Sequence, residues 1–116
     1  KFIIVNNSND LQKIIKNSKN LTMVDLYADW CIACKELEMY TFSDSKVSNV
    51  LGKINLVKFD VTNMDEDMNL FLKENNLFGP PALMFFSPNG DEIMGSRVVG
   101  FIDADAFYKK LESLNL

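Results

Sequence analysis

Short runs of apolar residues recur along the chain and predict its strands. The run at 23–28 is almost wholly apolar, which is typical of a strand buried on both faces of a sheet. A Gly79-Pro80-Pro81 break precedes the run at 82–86, and the turn residues at 88–90 lead from it into the last strand. The predicted strands are 2–5, 23–28, 54–61, 82–86 and 93–99.

Between these strands, apolar residues recur at the spacing of amphipathic helices. The first helix is capped by Asn7 or Ser8, the second opens at Cys31, and the third is capped by Ser43. Two more helices are predicted at 65–75 and after Asp103. Alternating strands and helices, followed by a hairpin, predict an α/β fold with a mixed central sheet flanked by helices on both faces.

Composition and charge narrow the classes of function. The 116 residues are 47% hydrophobic and 24% charged, which fits one domain spanning 1–116. The net charge of −4 argues against a nucleic-acid or anionic-membrane binder. No apolar run approaches the roughly 18 residues of a membrane span, and no signal peptide opens the chain. We therefore expect the sequence to be soluble as it stands, whether or not it was cut from something larger.

The candidate chemistry lies in two cysteines, Cys31 and Cys34. The sequence has no histidine, so the pair cannot complete a four-ligand zinc site, and His-assisted nucleophiles are excluded. A purely structural disulfide is the alternative. However, the loop it closes is very short, and in the chain-entropy model the stabilisation grows with loop length. The motif therefore predicts a redox-active disulfide that needs no bound cofactor or metal.

The residues around the cysteines resemble a known family. Trp30-Cys31-Ile32-Ala33-Cys34 follows a buried strand, and a later strand follows Pro81, as in thioredoxin-like proteins. Residues 24–44 resemble more specifically the C-terminal periplasmic domain of DsbD, a bacterial transmembrane electron carrier. The likeness extends through 100–104 and covers essentially the whole chain. It implies a thioredoxin fold, although Ile32-Ala33 replaces the Gly-Pro that cytoplasmic thioredoxins usually carry.

Helix geometry predicts different roles for the two cysteines. Cys31 stands at a helix N-terminus, where unpaired N–H groups and the dipole favour a thiolate, so we expect it to be the exposed nucleophile. Cys34 lies one turn further in and is predicted to be the resolving thiol that attacks the mixed disulfide. Trp30 is expected to cover the site, and the alternative is an ordinary half-buried aromatic.

Two acidic residues near the motif are candidates for tuning its pKa or relaying protons. Asp25 lies in a central strand, where a carboxylate is unfavourable unless paired or neutral; the alternative is a partly solvated Asp at the strand rim. Glu38 shares a helical face with Cys34, and the alternative is a solvated surface Glu. Asp25 is read as a proton relay for Cys34, which must lose its proton to attack; the resemblance supports this role and implies Glu38 as a second acid near the dithiol. Because Arg97 is the only arginine, we expect neither carboxylate to be neutralised and the Cys31 thiolate to be disfavoured.

The resemblance also assigns a role to the loop before the strand at 82–86. Pro81 matches the family's proline beside the active-site cysteines and is expected to be cis; the alternative is a trans turn proline. Phe78, Gly79, Pro80 and Pro81 are then expected to form part of a partner groove. Pro80 has no N–H, so we expect one strand-like hydrogen bond to a partner to be missing.

These residues together predict a thiol–disulfide oxidoreductase that passes two electrons through Cys31 and Cys34. The resemblance implies a periplasmic domain that is monomeric in isolation, is excised from a larger membrane protein and is tethered by that protein to the inner membrane. It would accept electrons from the transmembrane domain of its own protein and give them to the N-terminal periplasmic domain. The flow would be reductive, towards protein disulfides of disulfide isomerases and cytochrome c maturation factors. Two alternatives stay open: a free-standing thioredoxin-like protein-disulfide reductase, and a redox-silent module that only binds peptides.

Overall fold

The computed structural model describes residues 1–115, and a five-stranded sheet forms its centre. The strands are β1 (Phe2–Val5), β2 (Thr22–Tyr27), β3 (Asn55–Asp60), β4 (Ala82–Phe86) and β5 (Val98–Val99). Their order in the sheet is β1-β3-β2-β4-β5. β3 pairs in parallel with β1 and β2, whereas β4 is antiparallel to β2 and β5 is antiparallel to β4. This arrangement confirms the predicted mixed sheet.

Within the described residues, four α-helices and one π-helical segment connect the strands, and a fifth α-helix follows β5. The helices are α1 (Ser8–Asn17), α2 (Ile32–Glu36), α3 (Ser45–Leu51), α4 (Glu66–Glu74) and α5 (Ala104–Glu112). The N-cap residue of each of these five helices accepts a backbone N–H of the first turn with its side chain, and these residues are Asn7, Cys31, Asp44, Asp65 and Asp103. None of the described helices is both long enough and apolar enough to cross a membrane.

The core consists of two apolar clusters on opposite faces of the sheet. Consecutive residues of β2 alternate between them: Val24 and Leu26 belong to one cluster, and Met23 belongs to the other. The first cluster includes buried residues of α1 and α4, and the second includes residues of α3 and α5. Helices therefore cover both faces, as the sequence pattern predicted.

The predicted cap at Ser43 is wrong, because Asp44 caps α3. Ser43 has helical backbone angles and turns its hydroxyl back to donate to the Met39 carbonyl at 2.6 Å. Asp44 instead leaves the helical region, and its carboxylate accepts the backbone N–H groups of Lys46 and Val47. Both residue types favour caps, so only the backbone geometry decides between them.

Two further segments differ from the prediction. The helix that opens at the cysteines becomes a π-helix over Leu37–Phe42, for which the sequence carries no glycine or proline signal. The predicted strand at 93–99 is reduced to Val98–Val99, because the chain leaves the sheet in a turn after Ile93, whose N–H donates to the Phe85 carbonyl at 2.8 Å. Gly95 has a φ of +72°, and the Ser96 N–H donates to the Ile93 carbonyl at 3.3 Å to close that turn.

Candidate functional site

Strand register brings the loops that carry the predicted site residues to one end of the sheet. Leu26, near the end of β2, pairs with Ala82 at the start of β4, and Ala82 also pairs with Val99 of β5. Tyr27 pairs with Asp60 at the end of β3. The segments after β2, β3 and β5 and the segment before β4 therefore emerge side by side. Those segments are 28–31, 61–65, 100–103 and 78–81.

Cys31 and Cys34 form a disulfide at the first turn of α2. Cys31 is the N-cap residue, and its sulfur accepts the backbone N–H of Cys34 at 3.1 Å. The Cys34 sulfur lies 3.8 Å from the carbonyl oxygen of Leu26 in β2. The same N–H would stabilise a thiolate at Cys31 in the dithiol, whereas the carbonyl beside Cys34 would accept hydrogen from a protonated thiol. These environments support the predicted division of roles.

The expectation that Cys31 is exposed is wrong. Cys31 retains 6% of its accessible surface and Cys34 retains 2%, and both belong to an apolar cluster that includes Ala28 and Ala82. The capping contact explains the burial, because it turns the Cys31 sulfur towards the first turn of α2 rather than towards solvent. A partner must therefore reach the disulfide at the small part of Cys31 that remains accessible.

Asp25 is buried in the middle of β2, so the interpretation as a solvated rim residue is wrong. Only 2% of its surface is accessible, and its Oδ1 atom accepts no hydrogen bond from any described residue. Burial raises the pKa of Asp25 from 3.8 to about 7, while Lys58 lowers this pKa and Glu38 raises it. The residue after Asp25 is Leu26, whose carbonyl faces the Cys34 sulfur. A carboxyl group that titrates near neutrality thus lies in the strand that Cys34 contacts.

Glu38 was expected to lack a neutralising partner, but Lys58 neutralises it. The Lys58 ammonium lies 2.7 Å from Glu38 Oε2 and 4.4 Å from the centre of the Tyr27 ring. Lys58 is also in register with Asp25 across the β2–β3 pair. The expectation of two unneutralised carboxylates is therefore wrong. The signal for Lys58 was its place as the single cation in β3, but its neighbours depend on the register of two strands that are distant in sequence.

The loop before β4 has the geometry expected at Pro81. The Pro80–Pro81 peptide bond is cis, so the trans alternative is wrong. Pro81 is buried, and its carbonyl accepts the N–H of Gly100 at 3.0 Å, whereas the Phe78 side chain is fully exposed. A Cβ placed on Gly79 would meet nothing within 4 Å. The tip of the loop is thus open to a partner.

Trp30 lies at the surface next to Cys31 and is held by the loop after β3. Its side chain is 55% exposed, and its indole N–H donates to the Thr62 carbonyl at 3.0 Å. The Thr62 hydroxyl accepts the N–H of Asp29 at 2.9 Å and donates to Asp60. These hydrogen bonds hold Trp30 in place at one side of the site. Thr62 and Asp60 were not predicted, because nothing local links them to the cysteines.

Metal-ligating groups do not cluster in the part of the chain that the structure describes. No set of three or more His, Cys, Asp or Glu side chains there could hold a metal ion. The electron-carrying group of this site is the Cys31–Cys34 disulfide itself.

Sequence relatives match this chain over nearly its whole length. Residues 8–115 match the family described as thioredoxin-like domain. The thiol:disulfide interchange protein DsbD of Pectobacterium atrosepticum is 46% identical over 114 residues, which are 98% of this chain and 20% of that protein. DsbD of Haemophilus influenzae is 40% identical over 116 residues, which are 99% of this chain and 20% of that protein. The chain thus spans about a fifth of the length of these curated relatives.

Solved structures with the same fold include a DsbD domain in both redox states. The C-terminal domain of Neisseria meningitidis DsbD is 28% identical, with TM-scores of 0.78 for its reduced form and 0.80 for its oxidised form. Each of these matches covers 96% of this chain and 98% of the other. A thioredoxin from Thermus thermophilus, 18% identical, covers 99% of this chain and 88% of its own, and its TM-score of 0.74 shows a shared fold.

Proposed function

Because this chain belongs to the thioredoxin-like domain family and is a thiol–disulfide redox domain of the DsbD type, we propose that it relays electron pairs between two partners. The observation that carries this proposal is the Cys31–Cys34 disulfide at the N-terminal turn of α2, above a strand that buries Asp25. A structural disulfide alone does not explain a buried carboxyl group placed in that strand.

The first step of the proposed reaction is attack by Cys31. In the dithiol, the Cys31 thiolate attacks one sulfur of a partner disulfide, and the other partner sulfur leaves as a thiolate. A mixed disulfide then joins Cys31 to the partner. The N–H of Cys34, which already points at the Cys31 sulfur at 3.1 Å, stabilises the attacking thiolate.

The second step releases the partner and requires a base. Cys34 gives its proton to the Asp25 carboxylate and attacks the Cys31 sulfur, so the Cys31–Cys34 disulfide forms and the second partner sulfur leaves as a thiolate. Two electrons pass to the partner, which gains two protons from Asp25 and solvent. A pKa of about 7 matches this role, because such a group is partly ionised and still basic at neutral pH.

The partners in this proposal follow from the longer relatives. The domain would be part of a larger membrane protein, held in the periplasm at the inner membrane. It would be reduced by the transmembrane domain of that protein and oxidised by the N-terminal periplasmic domain, acting as a monomer with no bound cofactor. Disulfide isomerases and cytochrome c maturation factors would receive the electrons further on. The coverage of DsbD relatives supports a multidomain protein of this kind.

Trapping of the mixed disulfide tests the two cysteine roles. The reduced Cys34→Ser variant should form a stable one-to-one adduct with insulin that dithiothreitol releases, because nothing resolves the bond at Cys31. Wild type should instead reduce insulin without an adduct, and Cys31→Ser should do neither. An adduct formed by Cys31→Ser would reverse the roles. A wild-type protein that leaves insulin oxidised would indicate the redox-silent module.

A second measurement separates the DsbD-type relay from a free-standing reductase. The reduced domain would be mixed with the oxidised N-terminal periplasmic domain of the Pectobacterium atrosepticum relative, and the rate would be compared with that for insulin. A relay should reduce its cognate type of domain about tenfold faster or more. Equal rates would favour the general reductase.

A further inference from the structure

Arg97, the single arginine of the chain, connects two distant segments near the site. Its Nε and Nη2 atoms donate to the two carboxylate oxygens of Glu92 at 2.6 and 3.0 Å. Its Nη1 atom donates to the backbone carbonyl of Asn75 at 2.5 Å. Both side chains of the ion pair are partly buried, with 31% exposure for Arg97 and 25% for Glu92. The planar arrangement of its N–H groups therefore lets the guanidinium bind a carboxylate and a backbone carbonyl at the same time.

The carbonyl that Arg97 binds is the end of α4 and the start of the loop to β4. Asn75 is the C-cap of α4, where backbone carbonyls lack helical partners and a cation is favoured. Asn76 then adopts a φ of +57°, and the Leu77 N–H donates to the Leu72 carbonyl at 2.9 Å. The next residue is Phe78, the first residue of the predicted partner groove. Arg97 thus fixes the point from which this loop departs.

The other end of the loop is held by the same short segment. Gly100, three residues after Arg97, donates its N–H to the Pro81 carbonyl at 3.0 Å, and Val99 pairs with Ala82. Between these two attachments the loop has little support of its own, since Phe78 is fully exposed and a Cβ on Gly79 would meet nothing within 4 Å. The position of the loop tip must therefore come from its ends.

We infer that Arg97 is a positioning residue that holds the loop 78–81 beside the dithiol for docking of a protein partner. The inference rests on the proposed function, since it assigns the loop to partner binding. Arg97 donates to Glu92 and to the Asn75 carbonyl, and none of these hydrogen bonds involves either cysteine. Its removal should weaken partner binding and leave the chemistry of Cys31 and Cys34 unchanged.

Single-turnover kinetics test this role in the reduced 116-residue chain. Fluorescence of Trp30, the only tryptophan, follows oxidation at increasing insulin concentrations. Arg97→Met should raise the half-saturating insulin concentration about tenfold and leave the limiting rate within about twofold. The rate with dithiobisnitrobenzoate, a small disulfide that does not need the groove, should stay unchanged. Arg97→Lys should fall between, because an ammonium cannot reproduce this planar arrangement of N–H groups.

A matched control variant shows whether the effect is specific to Arg97. Lys110→Met removes another cation that contacts the β4–β5 connection, at the Gly95 carbonyl, and it should match wild type. If Arg97→Met leaves the half-saturating concentration unchanged, or slows both disulfides equally, the inference is wrong. If it fails to fold, Arg97→Lys and Glu92→Gln carry the same test. A wild type that reduces neither disulfide would instead overturn the proposed function.

Discussion

Lys58 and Glu38 form an ion pair of 2.7 Å next to Asp25, and Arg97 and Glu92 form one of 2.6 Å next to the end of α4. All four side chains are partly exposed, and isolated pairs of this kind stabilise a protein by only about 0–1 kcal/mol. The difference between them is the third group that lies beside each ion pair. The Lys58 pair adjoins a buried carboxyl group, whereas the Arg97 pair holds a backbone carbonyl.

The two regions should therefore respond differently to pH. The pKa of Asp25 is about 7, so the region of Lys58 changes charge near neutrality. Hydrogen bonds from Arg97 to Glu92 raise the pKa of Arg97 above its already high usual value, with burial opposing this effect, so the second region keeps its charge. Variants near Asp25 should alter the pH dependence of exchange, and variants at Arg97 should alter partner binding.

The largest expected effect is on stability, from Asp25→Asn. The folded protein holds an extra proton on Asp25 between pH 3.8 and about 7, because the folded-state pKa is the higher one. The free energy of unfolding of wild type therefore falls as pH rises through that window. Asp25→Asn does not lose stability in this way. Its free energy of unfolding should therefore exceed that of wild type by an amount that grows from pH 4 and reaches at most roughly 4 kcal/mol above pH 7. Urea unfolding between pH 4 and 8 measures it.

Asp67→Asn is a control for which the effect on stability should have the opposite sign. Hydrogen bonds from the Ser8 hydroxyl and N–H lower the pKa of Asp67, so its contribution to stability is present above 3.8 and lost as pH falls. The Asn variant should be less stable than wild type at pH 7, with the difference shrinking towards pH 3. An Asp25→Asn advantage that does not change with pH would show that burial does not raise the pKa of Asp25.

Lys58→Met should have the next largest effect. Loss of the ammonium removes the charge that lowers the pKa of Asp25, so the pH at which Cys34 becomes active should move up by about one unit. At pH 7 the resolving step should slow about fivefold to tenfold. Lys46→Met is the control, since Lys46 also lies over an aromatic ring, that of Tyr108, and should change nothing. A downward move of the midpoint would contradict the electrostatic role.

Glu38→Gln should have a smaller effect in the opposite direction. Its carboxylate raises the pKa of Asp25 but is the third of three causes, so the midpoint should move down by about half a pH unit. Glu36 is exposed and lies outside the ion pair, so Glu36→Gln should leave the midpoint unchanged. Carbon NMR of the Asp25 carboxyl group measures the shift directly. An upward shift would mean that Glu38 acts mainly by holding Lys58 in place.

The smallest expected effect is the coupling between the two regions. Lys58 and Arg97 share no hydrogen-bond or ion-pair partner, so the Lys58→Met and Arg97→Met effects should multiply within about twofold in the double variant. Insulin kinetics of wild type, the two single variants and the double variant measure this coupling. A coupling of fivefold or more would show that the two ion pairs form a single network.

Local patterns predicted most of the fold. Four of the five strands were located closely, because apolar runs bounded by turn residues depend on neighbouring residues alone. The π-helical segment Leu37–Phe42 was not, and its stabilising contacts are tertiary: Thr41 is fully buried and donates to the Ile102 carbonyl at 2.5 Å. The shortened β5 reflects a turn at Gly95 that the strand pattern overlooked.

Some residues of the site were likewise predictable from sequence, and others were not. Cys31 and Cys34 were predicted from their spacing, Asp25 from its place in an apolar strand and Pro81 from the resemblance, and the structure brings their segments to one end of the sheet. Lys58 could not be paired with Glu38 from sequence, because that contact requires the register of β2 against β3 and the position of the helix above them. Exposure of Cys31 was misjudged for a similar reason, since the sulfur turns inward to accept an N–H.

The most direct test of the central claim is the pH dependence of the two thiol releases from dithiobisnitrobenzoate, followed by stopped flow. The first release reports attack by Cys31, and the second reports attack by Cys34. In wild type and Arg97→Met, the second rate should rise with a midpoint near the Asp25 pKa of about 7. In Asp25→Asn this midpoint should vanish, and the second rate at pH 7 should drop about a hundredfold with the first little changed. An unchanged midpoint in Asp25→Asn would contradict the proton relay.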